Sequence, residues 1–247
     1  MSLRFLIPLA AGLALTGSAH AQEPGKLKGV VELFTSQGCA SCPPADAALN
    51  KLIAQGNVVA LAYHIDYWNY LGWSDTMSSK DNTARQYAYA RALGRSSVYT
   101  PQAIVNGRDH MSGADLGAIN VKLDDLSRVG QGLTVPVGAA MKGDELEINI
   151  AAGQGKANVV VAYFDREQNI DVTKGENVGH QIAYMHSVSD VETVGMWEGK
   201  AMRLTLPANV MEQAGRKGLA VLLQSSSPAG DPAAIIGATV MTMGADD

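Results

Sequence analysis

Apolar runs and amphipathic segments alternate along the first half of the chain, which predicts strands and helices in turn. Residues 29–34 and 58–65 carry apolar side chains toward both faces, as strands inside a sheet do. Between these runs, apolar residues recur at helical spacing from Ala47 until Gly56 ends the pattern. A strand, a helix and a second strand form a β-α-β unit, and its crossover implies that the strands pair in parallel.

The next segment combines an insertion with a second structural unit. Residues from about 67 to 97 hold an aromatic stretch followed by a predicted helix over 80–93. A Thr-Pro step at residues 100–101 then opens a short apolar strand, and an Asn-Gly pair at residues 106–107 is a strong signal for a hairpin. A predicted helix over residues 114–128 completes the unit.

From residue 133 onward the hydrophobic pattern changes from helical spacing to alternation. Residues 145–150 are an example, and Gly-rich turns separate the alternating runs. About seven short strands of this kind, with an eighth candidate at residues 235–242, are typical of an antiparallel β-sandwich. The pattern therefore predicts two domains, an α/β domain over residues 28–129 and a β-sandwich domain over residues 133–243.

The only two cysteines of the chain, Cys39 and Cys42, lie in a C-x-x-C spacing between the first predicted strand and helix. Pro43 and Pro44 lack N–H donors and therefore belong at a helix start, which places both sulfurs at the helix N-terminus. Free N–H groups and the helix dipole favour a thiolate there and lower the pKa of an exposed first cysteine. This arrangement predicts a redox dithiol in which Cys39 is the nucleophile and Cys42 the resolving thiol.

Two other interpretations of the cysteine pair stay open. One is an inert structural disulfide in an interaction module, although a bridge across so short a loop contributes only about 2 kcal/mol on the chain-entropy estimate. The other is a Cu(I)-handling protein, in which Cys39, Cys42 and His64 would hold copper. A closed zinc site would need four ligands, and the sequence has no second cysteine pair. The redox interpretation itself requires no cofactor.

His64 and Asp66 stand at the end of the second predicted strand, at the edge that should also carry the cysteines. Their spacing of two along a strand puts both side chains on one face. A neutral imidazole can accept the proton that a thiol sheds, and a carboxylate can orient the imidazole, so the pair is a candidate proton relay. The alternative is a polar pair that caps the strand end and fixes the aromatic loop.

The first 21 residues have the pattern of a signal peptide. Arg4 precedes an apolar core, and the small-x-small run at residues 19–21 is typical of a cleavage site. The apolar core is too short to span a membrane, so we expect a periplasmic or secreted protein with no membrane attachment after cleavage. Export exposes the cysteines to an oxidising compartment. The net charge of −5 and the lack of any Lys/Arg cluster argue against a nucleic-acid partner.

The order of strand, C-x-x-C, helix, strand, inserted helix, Thr-Pro strand, hairpin and helix resembles the thioredoxin fold. The resemblance covers roughly residues 28–129 and makes this α/β unit a thioredoxin-like domain. It implies that Pro101 is cis and lies against the cysteine pair, and that Thr100 pairs with substrate backbone. One departure from thioredoxin is Gly38, which replaces the aromatic residue usually found before the first cysteine.

More closely, the chain resembles an exported bacterial thioredoxin-like family catalogued as domain of unknown function 1223. The resemblance rests on residues 32–46, 64–68, 71–73 and 99–102, with residues 175–180 as a later match. It implies a fold but no established substrate. The redox dithiol itself favours a thiol-disulfide oxidoreductase that acts on protein thiols and disulfides together with a further redox partner. Whether the couple works as an oxidant, a reductant or an isomerase stays open, because the residues around the cysteines tune its potential.

Overall fold

The computed structural model describes residues 27–211 and 217–243. The predicted signal peptide, residues 1–21, lies outside the described residues. The helices and strands follow in this order: β1 (Gly29–Thr35), α1 (Pro43–Gln55), β2 (Val58–His64), α2 (Lys80–Ala92), β3 (Gln102–Val105), β4 (Asp109–Ser112), α3 (Leu116–Arg128), β5 (Val137–Lys142), β6 (Glu145–Ile150), β7 (Ala157–Asp171), β8 (Gln181–Trp197), β9 (Met202–Pro207), β10 (Gly218–Ser226) and β11 (Pro232–Thr242). Short 3-10 turns lie at Asn69–Leu71 and Ala208–Val210.

The described chain has a mixed α/β fold with a large, mostly antiparallel sheet and a small second sheet. The large sheet has eight strands in the order β11-β10-β7-β8-β2-β1-β3-β4, and the small one has three in the order β5-β6-β9. β1 pairs in parallel with β2, which confirms the pairing predicted for the β-α-β unit. Among the helices of these residues, none is both long enough and apolar enough to cross a bilayer.

The hairpin predicted from the Asn-Gly pair joins β3 to β4. Asn106 and Gly107 both adopt positive φ, at 49° and 62°. Gly107 is also required for a second reason, because a Cβ at this position would lie 2.0 Å from the carbonyl oxygen of Ala233. The turn therefore packs directly against the backbone that leads through β11.

Helices cover both faces of the β2-β1-β3-β4 part of the large sheet. Val31 and Leu33 of β1 face α1 and α3 in one buried cluster. Val30 and Phe34 alternate with them and face the opposite side, in a cluster that includes Tyr89 of α2. This three-layer packing explains why β1 and β2 are apolar toward both faces.

The strands after residue 133 do not form a separate pair of sheets. β7, β8, β10 and β11 continue the large sheet, because β8 pairs with β2 at Ala62 and Ser187. The small sheet packs face to face on part of this extension around Trp197, so sandwich packing is present. The expected independent β-sandwich differs from this arrangement because alternation predicts strands but does not identify the strand edge with which each one pairs.

A buried polar network around an ion pair joins the two halves of the chain. Glu32 of β1 is fully buried and accepts a hydrogen bond of 2.8 Å from Nε of Arg85 on α2. The hydroxyl of Tyr89 donates to the same carboxylate, and Gln224 of β10 both donates to Tyr89 and accepts from Arg85. Burial acts to lower the pKa of Arg85, but the negative charge of Glu32 outweighs it and raises that pKa. Arg85 therefore stays charged inside the protein.

We expect Arg85→Met to lower the free energy of unfolding by about 3–5 kcal/mol, because it leaves the Glu32 carboxylate charged and buried without its partner. Urea denaturation at neutral pH measures the loss. The matched control is Arg91→Met on the same helix, where the Arg91 side chain is 61% exposed and pairs with Asp231 at the surface. The control should change little. Equal losses in both variants would mean that Glu32 does not depend on Arg85 for its buried charge.

Candidate functional site

The two cysteines lie where β1 turns into α1. Cys42 is the N-cap residue of α1, directly before Pro43, and its carbonyl oxygen accepts from the backbone N–H of Ala45. Cys39 and Cys42 form a disulfide with their Cα atoms 5.4 Å apart. The predicted position at the helix N-terminus is thus confirmed. The expected exposure of the first cysteine is not found, because Cys39 is only 2% exposed.

Thr100 and Trp68 flank the sulfur of Cys39. The Thr100 hydroxyl donates to Cys39 Sγ over 3.3 Å, and Trp68 Nε1 donates to the same hydroxyl oxygen over 2.7 Å. Because an indole nitrogen can only donate, it leaves the hydroxyl hydrogen of Thr100 directed at the sulfur. The Thr100–Pro101 peptide bond is cis, as the resemblance implies. Gly38 stands beside Trp68, which occupies the space next to the cysteine turn.

A buried polar cluster lies on the α1 side of β1 and β2. His64, at the end of β2, approaches Asp75 with 2.8 Å between Nδ1 and Oδ2. Asp46 of α1 accepts from the hydroxyl of Thr35 over 2.7 Å. Because an ionised carboxylate can only accept, Nδ1 of His64 carries a hydrogen. Among the described residues, His64 Nε2 and Asp46 Oδ2 have no hydrogen-bond partner.

The environment drives the pKa values of the two carboxyl groups apart. Burial raises the pKa of Asp46 to about 7, although the charge of His64 and the bond from Thr35 oppose the shift. Burial also acts to raise the pKa of Asp75, but His64 and the backbone N–H groups of Gln37 and Met77 outweigh it and lower that pKa. Two carboxyl groups with such different pKa values can take different roles, Asp46 as a proton donor and Asp75 as a lasting anion.

Asp46 also lies close to Cys42 along the chain. It follows Cys42 by four residues in α1, its backbone N–H donates to the Cys42 carbonyl, and both residues are buried. Side chains four residues apart share one face of a helix. A carboxyl group that can gain or lose a proton near neutral pH therefore lies on the same face of α1 as the Cys42 sulfur.

Of the two residues of the predicted relay, His64 lies in the buried cluster and Asp66 does not. The carboxylate that contacts His64 is Asp75. Asp66 accepts from the hydroxyl of Thr83 over 2.7 Å and receives nothing from His64, whose partner is Asp75 from the insertion. The physical reason is that β2 ends at His64. The alternation that would have put both side chains on one face does not extend to Asp66.

The ligand set of the copper interpretation does not come together. Among the described residues, there is no group of three or more His, Cys, Asp or Glu side chains that could hold a metal ion. Nδ1 of His64 is engaged by Asp75. Cys39, Cys42 and His64 thus lack the arrangement that a three-ligand site requires.

The loop between β7 and β8, residues 172–180, lies against the cysteine turn. The side-chain amide of Asn177 donates to the carbonyl oxygens of Gln37 and Cys39, over 2.8 and 3.0 Å. The Glu176 carboxylate accepts from the backbone N–H of Ala40 over 3.3 Å. From the sequence, this segment was notable only for its resemblance to the family. We refer to it below as the β7–β8 loop.

Sequence reasoning missed several residues that complete the site. Asp46 had a readable signal, since it is an acidic residue four positions after Cys42 and inside an otherwise apolar helix face. Trp68 and Asn177 were marked only by lying in segments that resemble the family, and Asp75 had no signal. The contacts of all three with the cysteine turn and His64 depend on how the insertion and the β7–β8 loop fold back. Asn177 lies 138 residues from Cys39.

Comparison with known proteins identifies related chains. A family model described as "Protein of unknown function (DUF1223)" matches residues 30–224. The X-ray crystal structure of a protein from Agrobacterium tumefaciens is similar with a TM-score of 0.84 and 59% sequence identity, covering 91% of this chain and 97% of that chain. No curated protein matches.

We expect Asp46→Asn to change how stability depends on pH. Because the folded pKa of Asp46, about 7, lies above its ordinary value of 3.8, the wild-type protein loses stability as pH rises between these values. Asparagine keeps the acceptor for Thr35 but has no charge to bury. Its free energy of unfolding relative to wild type should therefore rise by about 4 kcal/mol between pH 4 and pH 8.

Urea denaturation of both proteins at pH 4, 6 and 8 measures this difference. Asp81→Asn is the matched control, because Asp81 also lies in the first turn of a helix but is exposed to solvent. Its pH dependence should match that of wild type. If the free energies of unfolding of wild type and Asp46→Asn depended on pH in the same way, ionisation of Asp46 would cost no stability and the expectation would be wrong.

Proposed function

The chain belongs to the DUF1223 family, as its motifs predicted, and we propose that it is an exported thiol-disulfide oxidoreductase. The reaction is carried by Cys39 and Cys42. The observation that supports this most directly is the closed disulfide at the N-terminus of α1 with a hydroxyl donor on Cys39 Sγ. A bridge over four residues adds little stability, whereas a helix N-terminus and a donor to sulfur both favour the thiolate that exchange requires.

A thioredoxin-like arrangement of residues 28–129 is part of the proposal. The strand order β2-β1-β3-β4, with α1 and α3 on one face and α2 on the other, supports it. So does the cis peptide bond at Thr100–Pro101, directly beside the Cys39 sulfur. In such an arrangement Thr100 and Pro101 are the residues that receive the substrate chain.

The exchange proceeds through a mixed disulfide in either direction. When the protein oxidises a substrate, a substrate thiolate attacks Cys39 Sγ, the bond to Cys42 breaks and Cys42 leaves as a thiolate. A second substrate thiolate then attacks the substrate sulfur of the mixed disulfide and releases Cys39 as a thiolate. When the protein reduces a substrate, the Cys39 thiolate attacks the substrate disulfide, and the Cys42 thiolate then displaces the substrate.

The buried cluster handles the proton of Cys42. A thiolate formed by Cys42 lies in a fully buried position, where an unprotonated sulfur is unfavourable. Asp46, with its pKa raised by burial to about 7, supplies the proton and takes it back when Cys42 must attack. His64, held by Asp75, favours the negative charge that Asp46 then carries.

The partners in this proposal are protein thiols and disulfides outside the cytoplasm. The signal pattern of residues 1–21 supports export to the periplasm or the medium, and a disulfide is the expected state of the cysteines there. The direction of net electron flow follows from the reduction potential of the couple relative to its partners.

We expect the Cys39–Cys42 couple to have a reduction potential between about −120 and −270 mV, the range of working oxidoreductases. Equilibration of the protein without residues 1–21 in defined redox buffers, followed by trapping of free thiols, measures it. The high end of the range would indicate an oxidant and the low end a reductant. A value below about −300 mV is that of a structural disulfide and would contradict the proposal.

We expect Cys42→Ser to accumulate a mixed disulfide when it is mixed with a peptide disulfide, because Cys39 can attack and no resolving thiol remains. Intact-mass spectrometry should find one peptide per protein, released by reductant. Cys39→Ser is the control and should form far less adduct, since the Thr100 hydroxyl that favours a thiolate donates to Cys39. Equal adducts in both variants would refute the assignment of Cys39 as the nucleophile.

A further inference from the structure

The β7–β8 loop covers the cysteine turn from the C-terminal half of the chain. Asn177 is buried and uses both hydrogen bonds of its side-chain amide on the backbone at Gln37 and Cys39. Glu176 adds a third bond at Ala40. These contacts are made to main-chain atoms, so they hold the path of the turn whatever its side chains are.

The insertion also contacts the cysteine turn, through Trp73. Trp73 donates from Nε1 to the Gln37 side chain over 2.9 Å. A Cβ at Gly175 of the β7–β8 loop would lie 3.0 Å from Cβ of Trp73, so the loop and the insertion are in close contact beside the turn. Cys39 itself is only 2% exposed. An incoming sulfur must therefore reach an atom with almost no open surface around it.

An aromatic surface borders the Thr100 side of Cys39. Tyr70 is 77% exposed and stacks on Trp68 with 6.5 Å between the ring centroids. Tyr99, next to Thr100, is also exposed. We call Trp68, Tyr70 and Tyr99 the aromatic surface. It offers apolar contact to a chain that passes Cys39, and it is of no use to a ligand that consists of a thiol alone.

We propose that the β7–β8 loop, held by Asn177, limits the reaction partners of Cys39 to extended cysteine-containing polypeptide segments that lie along the aromatic surface. This inference rests on the proposed function and names its substrate class. A folded partner presents its cysteine on a broad surface, which meets the β7–β8 loop before the sulfurs come within bonding distance. Asn177 acts through the loop and is a positioning residue.

The test compares three reductants of the Cys39–Cys42 disulfide. They are an unstructured peptide with two thiols and apolar flanking residues, glutathione, and a folded protein with a surface dithiol. Timed alkylation and mass spectrometry give each rate. Each rate is divided by the rate of the same reductant with an oxidised peptide of residues 36–44, which removes the intrinsic reactivity of the reductant.

For wild type, the normalised rate with the unstructured peptide should exceed the rate with the folded dithiol by about tenfold or more. Asn177→Ala removes two hydrogen bonds that dock the β7–β8 loop on the cysteine turn. This loss corresponds to about a tenfold change in the equilibrium between the docked and the released loop, so the normalised rates with the unstructured peptide and the folded dithiol should become similar. Asn169→Ala is the matched control, because Asn169 lies exposed on β7 of the same hairpin and its side chain donates to Glu167 of the same strand. It should keep the wild-type ratio.

Glu176→Gln covers the case in which Asn177→Ala does not fold. Glu176 is exposed, so its replacement leaves the core intact. It should shift the ratio of the peptide rate to the folded-dithiol rate in the same direction by a smaller factor.

Tyr70→Ala tests the aromatic surface. It should lower the rate with the unstructured peptide and leave the rate with glutathione unchanged. Equal normalised rates for glutathione and the peptide in wild type would overturn the assignment of extended segments.

The outcomes separate this inference from the proposed function. If no reductant acts on wild type faster than on the peptide of residues 36–44, and the potential is that of a structural disulfide, the proposed function fails. If wild type exchanges readily but its ratio is the same in Asn177→Ala and Glu176→Gln, only the role of the β7–β8 loop fails. A drop in all rates by one common factor would mark Asn177 as merely structural and would also refute that role.

Discussion

Two neighbouring strands, β1 and β2, are buried on both faces, and the polar side chains that they carry there must find partners. A buried polar group without a partner costs folding free energy, and a buried charge costs more. Glu32 faces α2 and pairs with Arg85, whereas His64 faces α1 and pairs with Asp75. Because Arg85 and Asp75 come from the segment between β2 and β3, these two requirements fix how the insertion folds over both faces of the sheet.

The same requirement ties the C-terminal half to the N-terminal half. Gln224 of β10 satisfies the polar groups of Tyr89 and Arg85, and Asn177 satisfies backbone carbonyls of the cysteine turn. The second half of the chain thus contributes to the stability of the first and to the surroundings of the disulfide. Its role is to extend the sheet and to supply one wall of the site.

The site combines a covered disulfide with a destabilised carboxyl group beneath it. A buried carboxyl group with one oxygen lacking a partner, as in Asp46, lowers the stability of the fold as pH rises from 3.8 to about 7. Groups of this kind are concentrated at functional sites, where a poised proton is useful. Asp46 lies buried in the same cluster as His64 and Asp75, four residues after Cys42, so its carboxyl group is held near this cysteine and away from water.

Short-range patterns in the sequence were enough to determine the local elements and the place of the disulfide. Apolar runs predicted the parallel pair β1 and β2, and Pro43 and Pro44 put the cysteines at a helix start, because side-chain period and missing N–H donors act within a few residues. Tertiary structure alone decided that β8 joins β2, that Asp75 replaces Asp66 beside His64, and that Asn177 donates to the Cys39 carbonyl. The first and third of these contacts join segments far apart in the chain, and the second depends on how the insertion folds back. Their geometry exists only after the sheet has assembled and the polar groups inside it have found partners.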